Sequence, residues 1–486
     1  MRSTINPDQA KTGTLSQQAQ TAFSAVMQAF HPPYTGWVYL FAVMLVVAIG
    51  VSGKLIDEWY APLMIGGAVA GTAMVVVWLR NPLWALLPAI IMIFLPQGMI
   101  APEIQSLGNR VLTVATLGCW GAQLVFRRKL FRWTMPTMLF TIFITWALLS
   151  LTWAISIDEG ISILQIYVLR LILFLILIPN LVNNQEALKK FLTTITISGW
   201  ILIFASYYVV LTEGWAPGSR LQVYDTNANA LGVQAIISAA GVLWWAMLQG
   251  RYRSLRMAIG VLYIILTIGV VAMSGSRGSA ISLAIMLMLF WIQKPTRLWG
   301  NLALILMLLA LPVLPVVFDT VIQRFQVVGD DTALGGREVI WESGILAIGE
   351  EPVLGAGIGN ASLAARPYLQ MLKGLTVSKG FSLHNPLLTI WVETGLPGLL
   401  IYISVLASAA WLFIRAYWMG KVKDPNMRNY FALVLAAFVG YMASWIKGGG
   451  MEREFTYFFM LSLLILPSVL KPSQEPASSE NLAEAQ

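Results

Sequence analysis

Cysteine and histidine are nearly missing from this sequence, with one and two in 486 residues. A lone Cys119 inside an apolar run cannot form an internal disulfide. No His/Cys cluster has metal-ligand spacing, so no metal site is expected. Charge is scarce as well: 11% of residues are charged, against about 25% in ordinary soluble domains. Neither a Walker-type phosphate loop nor a GxSxG elbow is present, which removes two common routes to hydrolysis. GAGIGNA at 355–361 imitates a dinucleotide fingerprint, but it follows a helical pattern with no strand before it and reads as a turn. No Asp or Glu is expected in the middle of a span, which disfavours a carrier working through a carboxylate relay.

Apolar residues make up 58% of the chain, gathered in runs long enough to cross a bilayer. The expected fold is an all-α integral membrane protein with about 14 spans, at 37–52, 60–79, 82–97, 111–126, 136–155, 162–181, 191–211, 229–248, 257–273, 279–293, 299–318, 396–415, 429–446 and 454–470. The expected organisation is a tail (1–36), membrane helices (37–318), a long loop (319–385), further membrane helices (386–470) and a second tail (471–486). The first 30 residues are mostly polar, so the span near Trp37 is expected to act as its own insertion signal.

Basic residues set the orientation. Arg127, Arg128, Lys129 and Arg132, Lys189 and Lys190, Arg251, Arg253 and Arg256, Lys294 and Arg297, and Arg415, Lys421, Lys423 and Arg428 fall in alternate loops. The positive-inside rule makes those loops cytoplasmic and both termini internal. The net charge of +8 then points to anionic lipid rather than nucleic acid. The loop at 319–385 faces outward, and long loops are usually functional. Within it, 336–350 reads as an amphipathic helix with Val339, Ile340, Trp341, Ile345, Leu346 and Ile348 on its apolar face, stopped by Pro352.

On that outer side a few polar residues stand out. Arg220 lies in APGSRLQVYDTNANALG, Arg277 in SGSRGS, Arg337 at the start of the loop helix and His384 in LHNPLLTIWVETGLPG. Guanidinium groups pair bidentately with phosphate oxygens, so the three arginines suit a lipid-linked diphosphate. His384 can serve as a general base, with Asn385 available to orient its ring. The turn at 394–398 suits a re-entrant structure. Arg170, within QIYVLRLILFLI, is an intramembrane charge and a candidate for the same phosphates.

The ordered set SGSRG, GREVIWESGILAIGEEPVLGAGIGN and HNPLLTIWVETGLPGLL, with Arg337 47 residues before His384, resembles the O-antigen ligase and polymerase superfamily. The upstream NANALG, with Asn229, is similar to that family's loop after its first outer arginine, and the resemblance spans about 215–400. It implies a GT-C type membrane glycosyltransferase of the bacterial inner membrane. Such enzymes work without metal or cofactor and invert the anomeric centre. They pass a glycan from undecaprenyl diphosphate to lipid A–core, to a lipid-linked repeat or to another glycan acceptor on the periplasmic face. Carried over, Arg220, Arg277 and Arg337, with Arg170, hold the diphosphate, and His384 activates the acceptor. Asn229, Asn385 and Glu393 are supporting residues. In its number of expected spans the chain resembles the polymerases.

Two other classes compete. A lipid-oligosaccharide flippase would place basic residues along the whole path, whereas here only Arg170 is deep. A peptidoglycan polymerase would rely on an outer carboxylate, for which Asp319, Asp330, Asp331 and Glu338 are available without a matching motif.

Overall fold

The computed structural model describes residues 71–127, 130–216, 219–310, 337–373, 381–445 and 454–471. The expected first span, most of the second, the N-terminal tail and Asp319, Asp330 and Asp331 lie outside the described residues. So do the second half of the expected span at 299–318 and nearly all of the C-terminal tail. Apart from one isolated bridge between Val223 and Thr226, the described secondary structure is helical.

The chain divides into two compact units, Met1–Pro88 with Val111–Phe131, and Ala89–Arg110 with Arg132–Gln486. The first contains α1 (Gly71–Arg80) and parts of α2 (Leu83–Phe94) and α3 (Pro102–Arg127). Its core is Met74, Trp78, Ala85 and Cys119. The chain bends by 113° between α1 and α2. Pro82 has no N–H to continue α1, and the Asn81 side chain accepts the Leu83 N–H at 3.2 Å to start α2. Gln123 Nε2 donates to the carbonyls of Leu79 and Arg80 at 2.9 and 2.8 Å, closing the end of α1.

The second unit holds the rest. α4 spans Met135–Leu149 and continues as a 3-10 turn to Trp153. α5 runs Ile157–Leu181 and is π-helical over Leu171–Leu177. α6 (Gln185–Glu213), α7 (Ala228–Met247), α8 (Arg253–Met273), α9 (Arg277–Ile292) and α10 (Arg297–Ala310) follow. α11 (Arg337–Glu350) and α12 (Ala361–Lys373) come from the long loop. α13 (Pro386–Trp418), α14 (Pro425–Trp445) and α15 (Phe455–Val469) complete the unit.

Among the described residues six helices are long and apolar enough to span a membrane: α4 with its 3-10 turn, α5, α6, α7, α8 and α13. The bent pair α1–α2 would make seven. The expected spans at 279–293 and 454–470 are α9 and α15, of 16 and 15 residues, too short to qualify on length alone. α14 has 21 residues, but Arg428, Asn429 and Ser444 dilute its apolar run.

Helix α7 sits deepest, with 83% of its central window buried against 33% for α13. Small residues permit this, because they let helix backbones approach. A Cβ on Gly232 would meet Ser279 of α9 at 2.6 Å, and one on Gly241 would meet Ile195 of α6 at 2.8 Å. A second core is aromatic. Tyr457 of α15 stacks between Tyr402 of α13 and Trp445 of α14, with centroids 5.3 and 5.4 Å apart.

Hydrogen bonds sort the helix ends. At one end Arg132 donates to the Val469 carbonyl, Lys421 to Leu470, Trp244 to Asn426 and Gln185 to the Asp424 carboxylate. At the other, Leu221 meets Met273 and Gly278 packs on Ser444. The first end carries the clustered basic residues.

One expectation about the loop needs correction. α11 packs only part of the apolar face read from its sequence: Ile340, Trp341 and Ile348 lie partly buried against the loop core, while Ile345 is 62% and Leu346 37% exposed, and the fully buried residues are Ser343, Gly344 and Ala347. Close approach to α13 is the reason, because a Cβ on Gly344 would meet the Leu388 side chain at 2.8 Å. The amphipathic helix is α12, which buries Ala361, Ala365 and Leu369 at helical spacing. α13 comprises two helical segments joined across a kink. Asn385 caps the first segment, and Gly395, with non-helical φ +64 and ψ −173, breaks it from a second that begins at Leu396, beside the expected start. Glu393, fully buried, lies in the first segment, just before the break.

Gly395 has φ +64, and a Cβ there would run into the Val353 carbonyl. Gly395→Ala is therefore expected to destabilise the protein by more than about 2 kcal/mol. Thermal unfolding in detergent measures this. An unchanged midpoint would mean that the bend does not depend on glycine.

Candidate functional site

The loop reaches its place through backbone contacts. Gly355, Gly357 and Gly359 all have positive φ, and a Cβ on each would strike the backbone of Gly395, Ala154 and Glu159 in turn. Ala356 N–H donates to the Val392 carbonyl at 2.8 Å, and Leu396 N–H donates to Pro352 at 3.1 Å. Asn360, fully buried, uses its whole amide. Its oxygen accepts the Ser156 N–H at 2.8 Å, and its nitrogen donates to the carbonyls of Ser156 and Ile358 at 3.1 and 2.9 Å. Trp153, Trp391 and Trp146 donate their indole N–H groups to Leu354, Pro352 and Thr394. The glycine-rich turn is thus a latch that fastens the loop to α4, α5 and the bend of α13.

His384 sits where the loop meets α13. Its φ of +56 is unusual for a residue with a side chain. The next residue must be extended to cap α13, and Asn385 does so with φ −142, its side-chain oxygen accepting the Leu388 N–H at 3.2 Å. The Asn385 oxygen is thus engaged in capping α13. His384 N–H donates to Ser382 Oγ at 3.2 Å, while its Nδ1 is buried with no hydrogen-bond partner among the described residues. Burial, and then the positive charge of Arg337, hold the imidazole below its ordinary pKa. Arg337 opens α11, so α11 packed on α13 brings the two side chains within electrostatic reach. At neutral pH His384 is an unprotonated base beside a fixed cation.

A second cluster forms around Arg220. Its Nε donates to the Ser274 carbonyl at 3.2 Å and its Nη2 to Asn229 Oδ1 at 2.8 Å. Asn229 in turn accepts, through its carbonyl, the Ser279 hydroxyl at 3.3 Å. Ser276 caps α9 by accepting the Ser279 N–H at 3.2 Å. The next residue is Arg277, at the first position of α9, half-buried. Arg220, Asn229 and the turn that carries Arg277 therefore form one assembly, although they are far apart in sequence.

Arg170 has a charged neighbour of its own. It ends the α-helical part of α5, immediately before the π-helical segment, and interacts by charge with Glu454 at the start of α15. A 15-residue helix is about 22 Å long, short of a hydrocarbon core of about 30 Å. The far end of α15 is at the basic end, where Val469 meets Arg132, and Glu454, at its near end, lies within electrostatic reach of Arg170. Sequence reading missed Glu454, Asn360, Ser274 and Ser279. SGSRGS contained the two serines, but nothing local marks Glu454 as a partner for a residue 284 positions earlier. Among the described residues no three His, Cys, Asp or Glu side chains gather as metal ligands would.

Residues 262–403 match the family model described as O-antigen ligase. The match supports membership of the O-antigen ligase family. No curated protein matches the chain. The O-antigen ligase stretch includes Arg277, Arg337, His384, Asn385 and Glu393, and it also contains the latch. Arg170, Arg220 and Asn229 precede it, but hydrogen bonds tie Arg220 to Ser274 and Asn229 to Ser279, both inside it.

With only two histidines in the chain, titration of His384 can be followed directly in a His31→Gln background. NMR of the imidazole is expected to give a midpoint below 6.5, and Arg337→Gln is expected to raise it, because removing a cation favours the protonated ring. A midpoint that stays put in Arg337→Gln would separate the two residues.

Proposed function

We propose that the protein transfers a glycan from an undecaprenyl-diphosphate-linked donor to an acceptor hydroxyl on the periplasmic face, with inversion and without a metal. The observation that carries this reading is the pairing of an unprotonated His384 with Arg337 inside the stretch that matches the O-antigen ligase family. In the proposed step the acceptor oxygen attacks the anomeric carbon from the face opposite the diphosphate. The new C–O bond forms as the sugar–phosphate bond breaks. The acceptor proton passes to His384, and the diphosphate leaves with the bonding electron pair. Arg337, Arg277 and Arg220 are assigned to the phosphate oxygens, where fixed cations stabilise the charge that develops. Arg170 is assigned to the same diphosphate from below, with Glu454 holding it in place.

Asn229 and Ser274 position Arg220, Asn385 sets the start of α13 beside His384, and Glu393 supports the bend. Energy comes from the activated donor, so no nucleotide is needed on the outer face. Lipid A–core, a second lipid-linked repeat and another glycan are the acceptor classes.

Purified protein in nanodiscs, given an undecaprenyl-diphosphate oligosaccharide and EDTA, is expected to glycosylate lipid A–core or to build ladders from donor alone. His384→Ala is expected to lower turnover by roughly 10²–10⁴-fold, and Arg337→Ala to lower it also. Absence of transfer to every acceptor, with donor moved across proteoliposomes regardless of His384, would replace this reading with a flippase.

A further inference from the structure

The basic end of the second unit contains a cavity of about 680 Å³. Its walls include Phe413 and Tyr417 of α13 and Phe431 and Leu435 of α14, and its rim holds Lys294 and Arg428. Tyr417 and Leu435 are 49% and 39% exposed, so the apolar wall is open to its surroundings. Lys294 lies two residues beyond the end of α9, and Arg428 lies in the first turn of α14. Leu435 is seven residues further along α14, about 10 Å deeper. The cations therefore mark the surface and the apolar wall runs inward beneath them.

Several cations at this end are already engaged. Arg132, Lys421, Arg256 and Arg297 donate to carbonyls left open at helix ends. Lys294 and Arg428 have no hydrogen-bonding or ion-pair partner for their side chains among the described residues. The nearest acid in sequence, Asp424, instead accepts from Gln185 and from the Asn426 N–H. Two cations without an anion, set over an apolar recess, match one molecule in both respects: an acyl chain fits the recess and a phosphate fits the rim.

We propose that this cavity binds an anionic glycerophospholipid, its phosphate between Lys294 and Arg428 and an acyl chain along Phe431 and Leu435. The site is separate from the outer cluster and does not depend on the transferase reading.

The test is native mass spectrometry of the full chain from detergent, with phosphatidylglycerol, phosphatidylcholine or inorganic phosphate added. Phosphatidylglycerol is expected to be retained at least tenfold better than phosphatidylcholine, and excess inorganic phosphate is expected not to displace it. Lys294→Glu with Arg428→Glu is expected to abolish that preference, and Lys189→Glu, a cation of the same end outside the cavity, to leave it intact. Leu435→Trp, which fills the recess at unchanged charge, is expected to reduce retention and guards against a charge-reversed variant that fails to fold. Equal retention of both lipids, displacement by phosphate alone, or full retention in the double variant or in Leu435→Trp would overturn the proposal.

Discussion

Two backbones touch at Gly355 and Gly395 because neither residue carries a side chain, and the position of His384 follows from that contact. The bend at Gly395 gives α13 a first arm, Pro386–Thr394, set off from the rest of the helix. The turn at 352–360 hydrogen-bonds to that arm through Val392, to the residue just past the bend, Leu396, and to the end of α4 and the start of α5 through Asn360 and Ser150. α11 and α12 then lie against the same arm through Ala347, Ala361, Ala365 and Leu388. The residue that opens α11 and the residue that precedes α13 are thereby held near one another. Loop, bend and candidate base form one rigid piece, although they would usually be described as separate elements.

The apolar runs made most of the membrane helices of the second unit legible. α4, α6, α7 and α8 begin and end within a few residues of the expected limits, because a stretch of that length without charge has few other options. The link between Arg220, Asn229 and SGSRGS was legible only as a shared side. What could not be read was anything that depends on two backbones meeting. Asn360 bonds to Ser156, 204 residues away, and its local context, GAGIGNA, reads correctly as a turn and no further. Gly395 and Pro397 look like a break from sequence, and the backbone does break at Gly395, but the Val353 carbonyl that it approaches could not be read. α11 misled for a related reason: apolar residues on all sides cannot reveal which side is narrow enough to approach another helix.

Charge is placed economically at both ends. At the basic end several cations close helix termini by bonding to carbonyls, a role that needs no ligand. At the other end Arg220 is held by neutral acceptors, a carbonyl and an amide. Neither of these two acceptors carries a negative charge, and a guanidinium group pairs readily with phosphate oxygens.

The π-helical segment at Leu171–Leu177 gives α5 a distinctive grammar. A π turn accommodates about one residue more than an α turn within nearly the same length. Removing a single residue from this segment would restore the α spacing, and each α position turns the chain by about 100°. Everything on the Arg170 side would rotate relative to everything beyond, and the guanidinium would swing off the line to Glu454. The segment thus works as a phase setter, letting the two halves of α5 face different neighbours, the latch at one end and the α15 core at the other.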